Sequence, residues 1–347
     1  MAQHYQIQHL ALSIDDPEQS VGPLAENILG TFRRPLGPHE LQRGRIRLEV
    51  HGECNRAVHR ELLPHVWHGS VDGVEYAVSR RGGRRRIELP GRAVLDFDLD
   101  HGWAQIAAPA AADDAAKRFL LLRLVCDALA RGGHSFIHAA CLAMPRRGGW
   151  QGVVLSAPSN TGKTTTALAL ANSGWRLLGD DVTYVRPPHQ GSAVWGFPRA
   201  CHVRPGTLAM LPWINDLTLG VQQSDGVRAL PLAQLGDRAW IGAPWLEPAL
   251  IVLLMPPNRR GTQVVEIDRA EALSRLGGES IDAAPDAFND DAARNFVTLG
   301  RLVCAAPAFR LSVGPRVDDV ASKLEQFLDS HERFVQPVHR AMQRRTA

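Results

Sequence analysis

The chain has 347 residues, 45% of them hydrophobic and 22% charged, enough to bury a substantial core as one large domain or two modest ones. A formal charge of +3 is too small to call for a nucleic-acid partner, and the longest apolar run, "ALIVLLM", is too short to span a bilayer. Five dispersed cysteines (Cys54, Cys126, Cys141, Cys201 and Cys304) with no CxxC pair argue against a disulfide framework or a zinc site and favour a reducing cytosol.

The N-terminal stretch "MAQHYQIQHLALSIDD" has no basic start followed by a long apolar run. No signal peptide is therefore expected, and the expected location is cytoplasmic. Residues 1–114 alternate apolar and polar in short pieces, "YQIQHLALSI", "GRIRLEV", "GVEYAVS", "RRIELP" and "AVLDFDL". This predicts a β-rich, mostly antiparallel region. One helix is expected within "DPEQSVGPLAENILGTF", capped by Asp15 or Asp16 with Pro17 at its first position. The basic run "SRRGGRRR" reads as a solvated β-turn on Gly82-Gly83, because no aromatic residues interleave it as a nucleic-acid surface would require.

At about residue 115 the period becomes helical, in "DDAAKRFLLLRLVCDALARGG", and a second unit is predicted over 115–330. Strands are expected at "FIHAACLAM", "GVVLSA", "WRLLG", "TYVR", "AVWGF", "HVRP", "ALIVLLM" and "TQVVEI". Helices are expected after Lys163 and near 269–277, 289–303 and 317–330, with a basic tail at 331–347. Strands alternating with helices predict an α/β core.

"APSNTGKT", Ala157 to Thr164, fits the phosphate-loop pattern with alanine in place of the usual first glycine. An apolar strand precedes it and a good helix former follows, which is the context the chemistry needs. Backbone amides of Ala157, Pro158, Ser159, Asn160, Thr161, Gly162, Lys163, Thr164 and Thr165 are the candidate cofactor-binding segment, proline contributing only its place in the turn. Gly162 would let the backbone approach closely, Lys163 would bridge the β- and γ-phosphates of ATP, and the Thr164 hydroxyl would ligate Mg²⁺.

Asn172-Ser173-Gly174 ends that helix, and "WRLLG" is read as a strand that returns beside the phosphate-loop strand. Its C-terminal end then delivers Asp180 and Asp181 close to the γ-phosphate. Two carboxylates can divide the labour, one holding Mg²⁺ and one taking a proton from an attacking hydroxyl. A bare ATPase needs only the first role, so the doublet favours transfer to an alcohol.

"FIHAACLA" followed by "GVVLSAPSNTGKTTTALALANSGWRLLGDDVTYVR" resembles the catalytic core of bacterial HPr kinase/phosphorylase, and more closely the HPr-kinase-related proteins. "FPRACHVRPGTL" looks like their proline–arginine segment. The ATP-dependent phosphoenolpyruvate carboxykinases share the architecture more distantly. The resemblance is specific over about 134–210, weaker to 330 and vague before. It implies an α/β fold, a P-loop core of mixed β-sheet with flanking helices behind the β-rich N-terminal region. Carried over by position, it implies His138, Lys163 and Asp180 as catalytic, Asp180 handling protons, and Thr164 with Asp181 as the metal side. Arg199 becomes a candidate phosphate contact.

The "VRGLGI"-like signature and the basic HPr-docking loop of the bifunctional enzymes are missing from the sequence, so HPr is not the expected substrate and reverse phosphorolysis is not expected. Relatives of this type include kinases that phosphorylate a serine of a precursor peptide. The implied activity is an ATP- and Mg²⁺-dependent kinase acting on serine of a peptide or protein, with 1–114 as a docking module. A small-molecule hydroxyl acceptor and a non-catalytic ATP-sensing module are the alternatives. No nucleic-acid or membrane partner is expected, and relatives that form hexamers leave room for a homo-oligomer.

Overall fold

A computed structural model of the chain describes residues 2–33, 45–51, 65–71, 74–109, 112–217, 220, 226–281 and 292–330. The expected basic tail at 331–347 lies outside the described residues. The fold is mixed α/β, and the chain divides between His134 and Ser135 into two compact units.

In the first unit, β1 (Gln3–Ile7), β2 (Leu10–Asp15), α1 (Gly22–Leu29), β3 (Arg45–His51), β4 (His65–Val71), β5 (Val74–Arg81), β6 (Arg84–Leu89), β7 (Ala93–Asp98), β8 (Trp103–Ala107) and α2 (Asp114–Arg131) follow in order. The strands form one sheet in the order β1-β2-β3-β8-β7-β6-β5-β4. "YQIQHLALSI" is therefore a hairpin rather than one strand. It turns at Gln8, whose φ of 55° lies in the left-handed region, and Tyr5 then pairs with Leu12 across the two arms. β4 and β8 were not anticipated from the sequence.

The first helix begins later than the Asp16-Pro17 signal suggested. Asp16 still caps it, from a distance: its carboxylate accepts the backbone N–H groups of Ser20, Val21 and Gly22 at 3.1, 2.7 and 2.6 Å. The intervening loop brings the acid back to the helix start, so the cap residue and the first helical residue are not neighbours.

The arginine run behaves as a sheet element. Gly82, with φ of 58°, turns β5 into β6, and Arg84 makes a two-pronged contact with the buried Asp96 at 3.0 and 2.7 Å. Arg85 reaches Asp127 on α2 at 2.8 Å. α2, capped by the Asp113 carboxylate on the Ala116 N–H, thus packs with the first unit, and the division falls after it rather than at 114/115.

The second unit contains β9 (Ser135–Ile137), β10 (Ala139–Arg146), β11 (Gly149–Ser156), α3 (Lys163–Asn172), β12 (Arg176–Gly179), β13 (Thr183–Val185), β14 (Val194–Gly196), β15 (Cys201–Val203), α4 (Pro205–Met210), β16 (Arg228–Leu230), β17 (Pro248–Met255), β18 (Gln263–Ile267), α5 (Arg269–Ile281), α6 (Ala292–Ala305), β19 (Ala308–Ser312) and α7 (Asp319–Ser330). Its main sheet has the order β12-β10-β11-β17-β19-β18, and β14-β13-β9 forms a second, smaller sheet. β11 and β17 read as unbroken apolar runs because both faces of the sheet are covered. Val153 and Leu155 face a core that includes α3 and α7, while Val154 faces one shared with α5 and α6. α3 buries every residue from Thr165 to Ala171, which explains its lack of a polar face. A Leu168→Ala change there costs about 2–5 kcal/mol.

β12 does not lie beside the phosphate-loop strand: β10 stands between them, antiparallel to both. Two antiparallel steps restore the original direction, so β12 still ends at the same edge as β11. The expected strand "FIHAACLAM" is broken at His138 into β9 and β10, which belong to different sheets. The central strand β19 also escaped prediction, since five residues of alternating character ("AFRLS") after a helix give little signal. Among the described residues, no helix is long and apolar enough to cross a membrane.

Candidate functional site

Two strand pairs pass together from the large sheet to the small one. Cys141 pairs with Gly179 in the large sheet, and Ile137 pairs with Thr183 in the small one. Between them both chains bend, one carrying His138 and the other Asp180-Asp181. Buried Thr183 ties the bend by donating its hydroxyl to the Ala139 carbonyl at 2.8 Å. Gly179 and Gly196 are required where β12 meets β14, because a Cβ on Gly196 would come within 2.6 Å of the Gly179 nitrogen. Polar side chains thus collect where ladder pairing is interrupted, at the edge where β11 also ends.

β11 leads through the loop 157–162 into α3. Ala157 is buried, whereas Pro158, Ser159 and Asn160 are exposed. Asn160 and Gly162 have φ of 66° and 102°, a sequence of left-handed residues that turns the backbone sharply onto the helix. No side chain caps α3. Its first amides have no intrahelical acceptor, and they present the positive end of the helix dipole at this edge.

Lys163 is buried at 8% exposure, which an ammonium tolerates only with partners. Its Nζ lies 2.8 Å from Asp181 Oδ1 and 2.9 Å from His138 Nε2. An ammonium can only donate, so His138 Nε2 is the acceptor nitrogen and the imidazole proton sits on Nδ1. Burial and the neighbouring Lys163 hold His138 below its ordinary pKa, with Asp181 opposing them, so the ring is neutral at pH 7.

Thr164 donates its hydroxyl to Asp180 Oδ2 at 2.7 Å. The other oxygen, Oδ1, is buried without a hydrogen-bond partner among the described residues, and Asp180 as a whole is 1% exposed. Burial, followed by the adjacent Asp181 charge, pushes the Asp180 carboxyl up to about 7, against the opposing pull of Thr164, Lys163 and Arg199. Burial also pushes Asp181 up, but Lys163, His138 and Arg199 outweigh it and hold that carboxyl below its ordinary value. The two neighbours are therefore driven apart, one toward keeping its proton and the other toward full charge.

Of the residues expected at the site, His138, Lys163, Thr164, Asp180 and Asp181 are brought together, and half-buried Arg199 is near enough to act on both carboxylates and the histidine. Thr165 follows in the first turn of α3, where its backbone amide was the group expected at the site, and its hydroxyl is buried against the Thr207 hydroxyl at 2.8 Å and fastens α3 to α4. The pairing of the aspartates also differs from the roles the resemblance implies, since Thr164 meets Asp180 and Lys163 meets Asp181. Ser280 on α5, which accepts the His138 backbone N–H at 3.3 Å, had no sequence signal because 142 residues separate the two.

The residues fit a phosphate chain with a hard divalent cation. Thr164 Oγ1 and Asp180 offer two oxygens side by side, one carboxylate oxygen is unsatisfied, and the loop amides with Lys163 supply the cationic side. Among the described residues no group of three or more His, Cys, Asp or Glu side chains could hold a metal. Mg²⁺ does not need one, because it keeps waters and substrate phosphates as its remaining ligands.

No family model matches this chain, and no curated protein matches it. Among solved structures, the HPr(Ser) kinase/phosphatase from Coxiella burnetii aligns at 13% identity over 57% of this chain and 97% of that one, with a TM-score of 0.28. A likeness of that size carries no argument about activity.

Proposed function

We propose that the chain is an ATP- and Mg²⁺-dependent phosphotransferase that moves the γ-phosphoryl group to a hydroxyl, with serine of a peptide or protein as the acceptor class. One observation carries the reading: a strand–loop–helix with left-handed Gly162 brings Lys163 and Thr164 against two adjacent carboxylates and a neutral histidine.

In this reading the loop amides and the α3 N-terminus bind the phosphates, and Lys163 leaves Asp181 to neutralise charge on the transferring group. Thr164 and Asp180 hold the cation, which supplies charge neutralisation at the phosphates. Burial decides between the two acids. Asp180, 1% exposed, cannot meet an acceptor hydroxyl carried by a peptide, whereas the Asp181 side chain is 35% exposed. Asp181 therefore accepts the hydroxyl proton as the O–P bond forms and ADP leaves. This exchanges the roles that the family resemblance implies for the pair. His138, 2.9 Å from the ammonium, helps to hold Lys163 in place.

The test is incubation with γ-labelled ATP, Mg²⁺ and lysate of the source organism, followed by identification of any labelled acceptor. Label on a seryl hydroxyl that disappears in Lys163→Met supports the reading. Nucleotide binding with no transfer to any acceptor defeats it.

A further inference from the structure

α5 turns one stripe of side chains toward the core. Ala272 and Leu276 on that stripe are fully buried and share a cluster with Ile137 and Ala139, the two neighbours of His138. The next residue at the same spacing is Ser280, which is also buried. An apolar side chain there would continue the stripe, whereas a hydroxyl is costly to bury unless it is bonded. Its partner is the backbone N–H of His138, whose proton it accepts at 3.3 Å.

That N–H has no acceptor in either sheet. Ile137 pairs with Thr183 and Ala139 with Ser156, and His138 falls in the gap between the two ladders. A little further on, the Ala139 carbonyl is held by the Thr183 hydroxyl. Two side chains from distant elements thus fasten the main chain before and after the His138–Ala139 peptide. With the main chain fixed, the imidazole keeps only its own side-chain torsions, and its Nε2 stands 2.9 Å from Lys163 Nζ. We infer that Ser280 is a positioning residue: by holding the His138 main chain at the break between β9 and β10, it sets the place of the imidazole that accepts from Lys163. The consequence for phosphoryl transfer rests on the proposed function; the placement of the ring does not.

The experiment is nitrogen NMR of the histidine rings in the full chain at pH 8, where His138 is neutral, for the wild type, Ser280→Thr and Ser280→Val. His138→Gln identifies the signal. Thr and Val have nearly the same shape, and only Thr keeps an acceptor for the N–H. Ser280→Val is expected to move the His138 Nε2 resonance downfield, as an acceptor nitrogen does when it loses its donor, and Ser280→Thr is expected to keep the wild-type position. Phosphoryl transfer is expected to fall about ten- to a hundredfold in Ser280→Val, the effect of a misplaced group at a reacting centre, and to stay within about threefold of wild type in Ser280→Thr. Thermal unfolding checks each variant, and Ser280→Ala, read against wild type, takes the place of the branched pair should that pair fail to fold.

An unmoved His138 resonance in Ser280→Val overturns the inference, as does an equal displacement in both variants, which would make packing rather than the hydroxyl responsible. A displaced ring with undiminished transfer overturns it as well. A wild type that transfers phosphate to no acceptor removes the proposed function, while the resonance positions still decide whether Ser280 places the ring.

Discussion

Thr164 and Asp180 are joined by a 2.7 Å hydrogen bond, although the rest of α3 and all of β12 lie between them. The bond exists because the chain crosses over β10 and comes back to the edge it left, so that the first turn of the helix meets the end of the returning strand. It pairs a hydroxyl with a carboxylate whose second oxygen has no partner among the described residues.

If that pair holds the cation, Thr164→Val should preserve the fold and weaken metal-dependent transfer by about 10–100-fold, the usual effect of losing one group around a metal. Titrating activity against Mg²⁺ checks it. An unchanged Mg²⁺ requirement would show that the hydroxyl serves packing alone.

The raised Asp180 carboxyl makes a pH prediction. Its ordinary value is 3.8 and burial, then Asp181, bring it to about 7, so between those values the folded chain binds a proton that the unfolded chain has lost. Its contribution to stability is therefore fully present below about pH 4 and disappears as pH rises through 7. Asp180→Asn removes this dependence. Its melting temperature should exceed that of the wild type at pH 8 by a few degrees, ~2–4 °C for each kcal/mol recovered. The two curves should converge toward pH 4; parallel curves would place the titration elsewhere.

Lys163→Met should lower transfer by about a hundredfold or more, as expected on removing a preorganised cation from a phosphoryl-transfer site. The same change leaves Asp181 without its close cationic partner, so the Asp181 carboxyl should titrate at higher pH, visible by carbon NMR. Full activity in Lys163→Met would be incompatible with the assigned role.

Gly162→Ala isolates backbone conformation. A Cβ there would meet nothing within 4 Å, but the φ of 102° strains any L side chain. A loss of about 1–2 kcal/mol is expected, together with weaker ATP binding. Gly196→Ala should cost more, because its Cβ would press on the backbone at Leu178 and Gly179. Chemical denaturation of both variants would show whether the order is reversed.

Much of this was legible in the sequence, and for local reasons. The spacing from Ala157 to Thr164, the apolar run before it and the helix former after it dictate a strand–loop–helix by short-range propensity and turn chemistry alone. Gly174 and the apolar "WRLLG" likewise announce a helix end and a strand. What the sequence could not decide is which strands become neighbours. The insertion of β10 between β11 and β12, the bend that places His138 opposite Asp180-Asp181, the pairing of Thr164 with Asp180 and Lys163 with Asp181, and the contact of the Thr165 hydroxyl with Thr207 all depend on how distant segments pack. Adjacent carboxylates are chemically alike on paper. Burial to 1% on one side of a bend and partial exposure on the other gives them different partners and different affinities for a proton, and only the packed chain creates that difference.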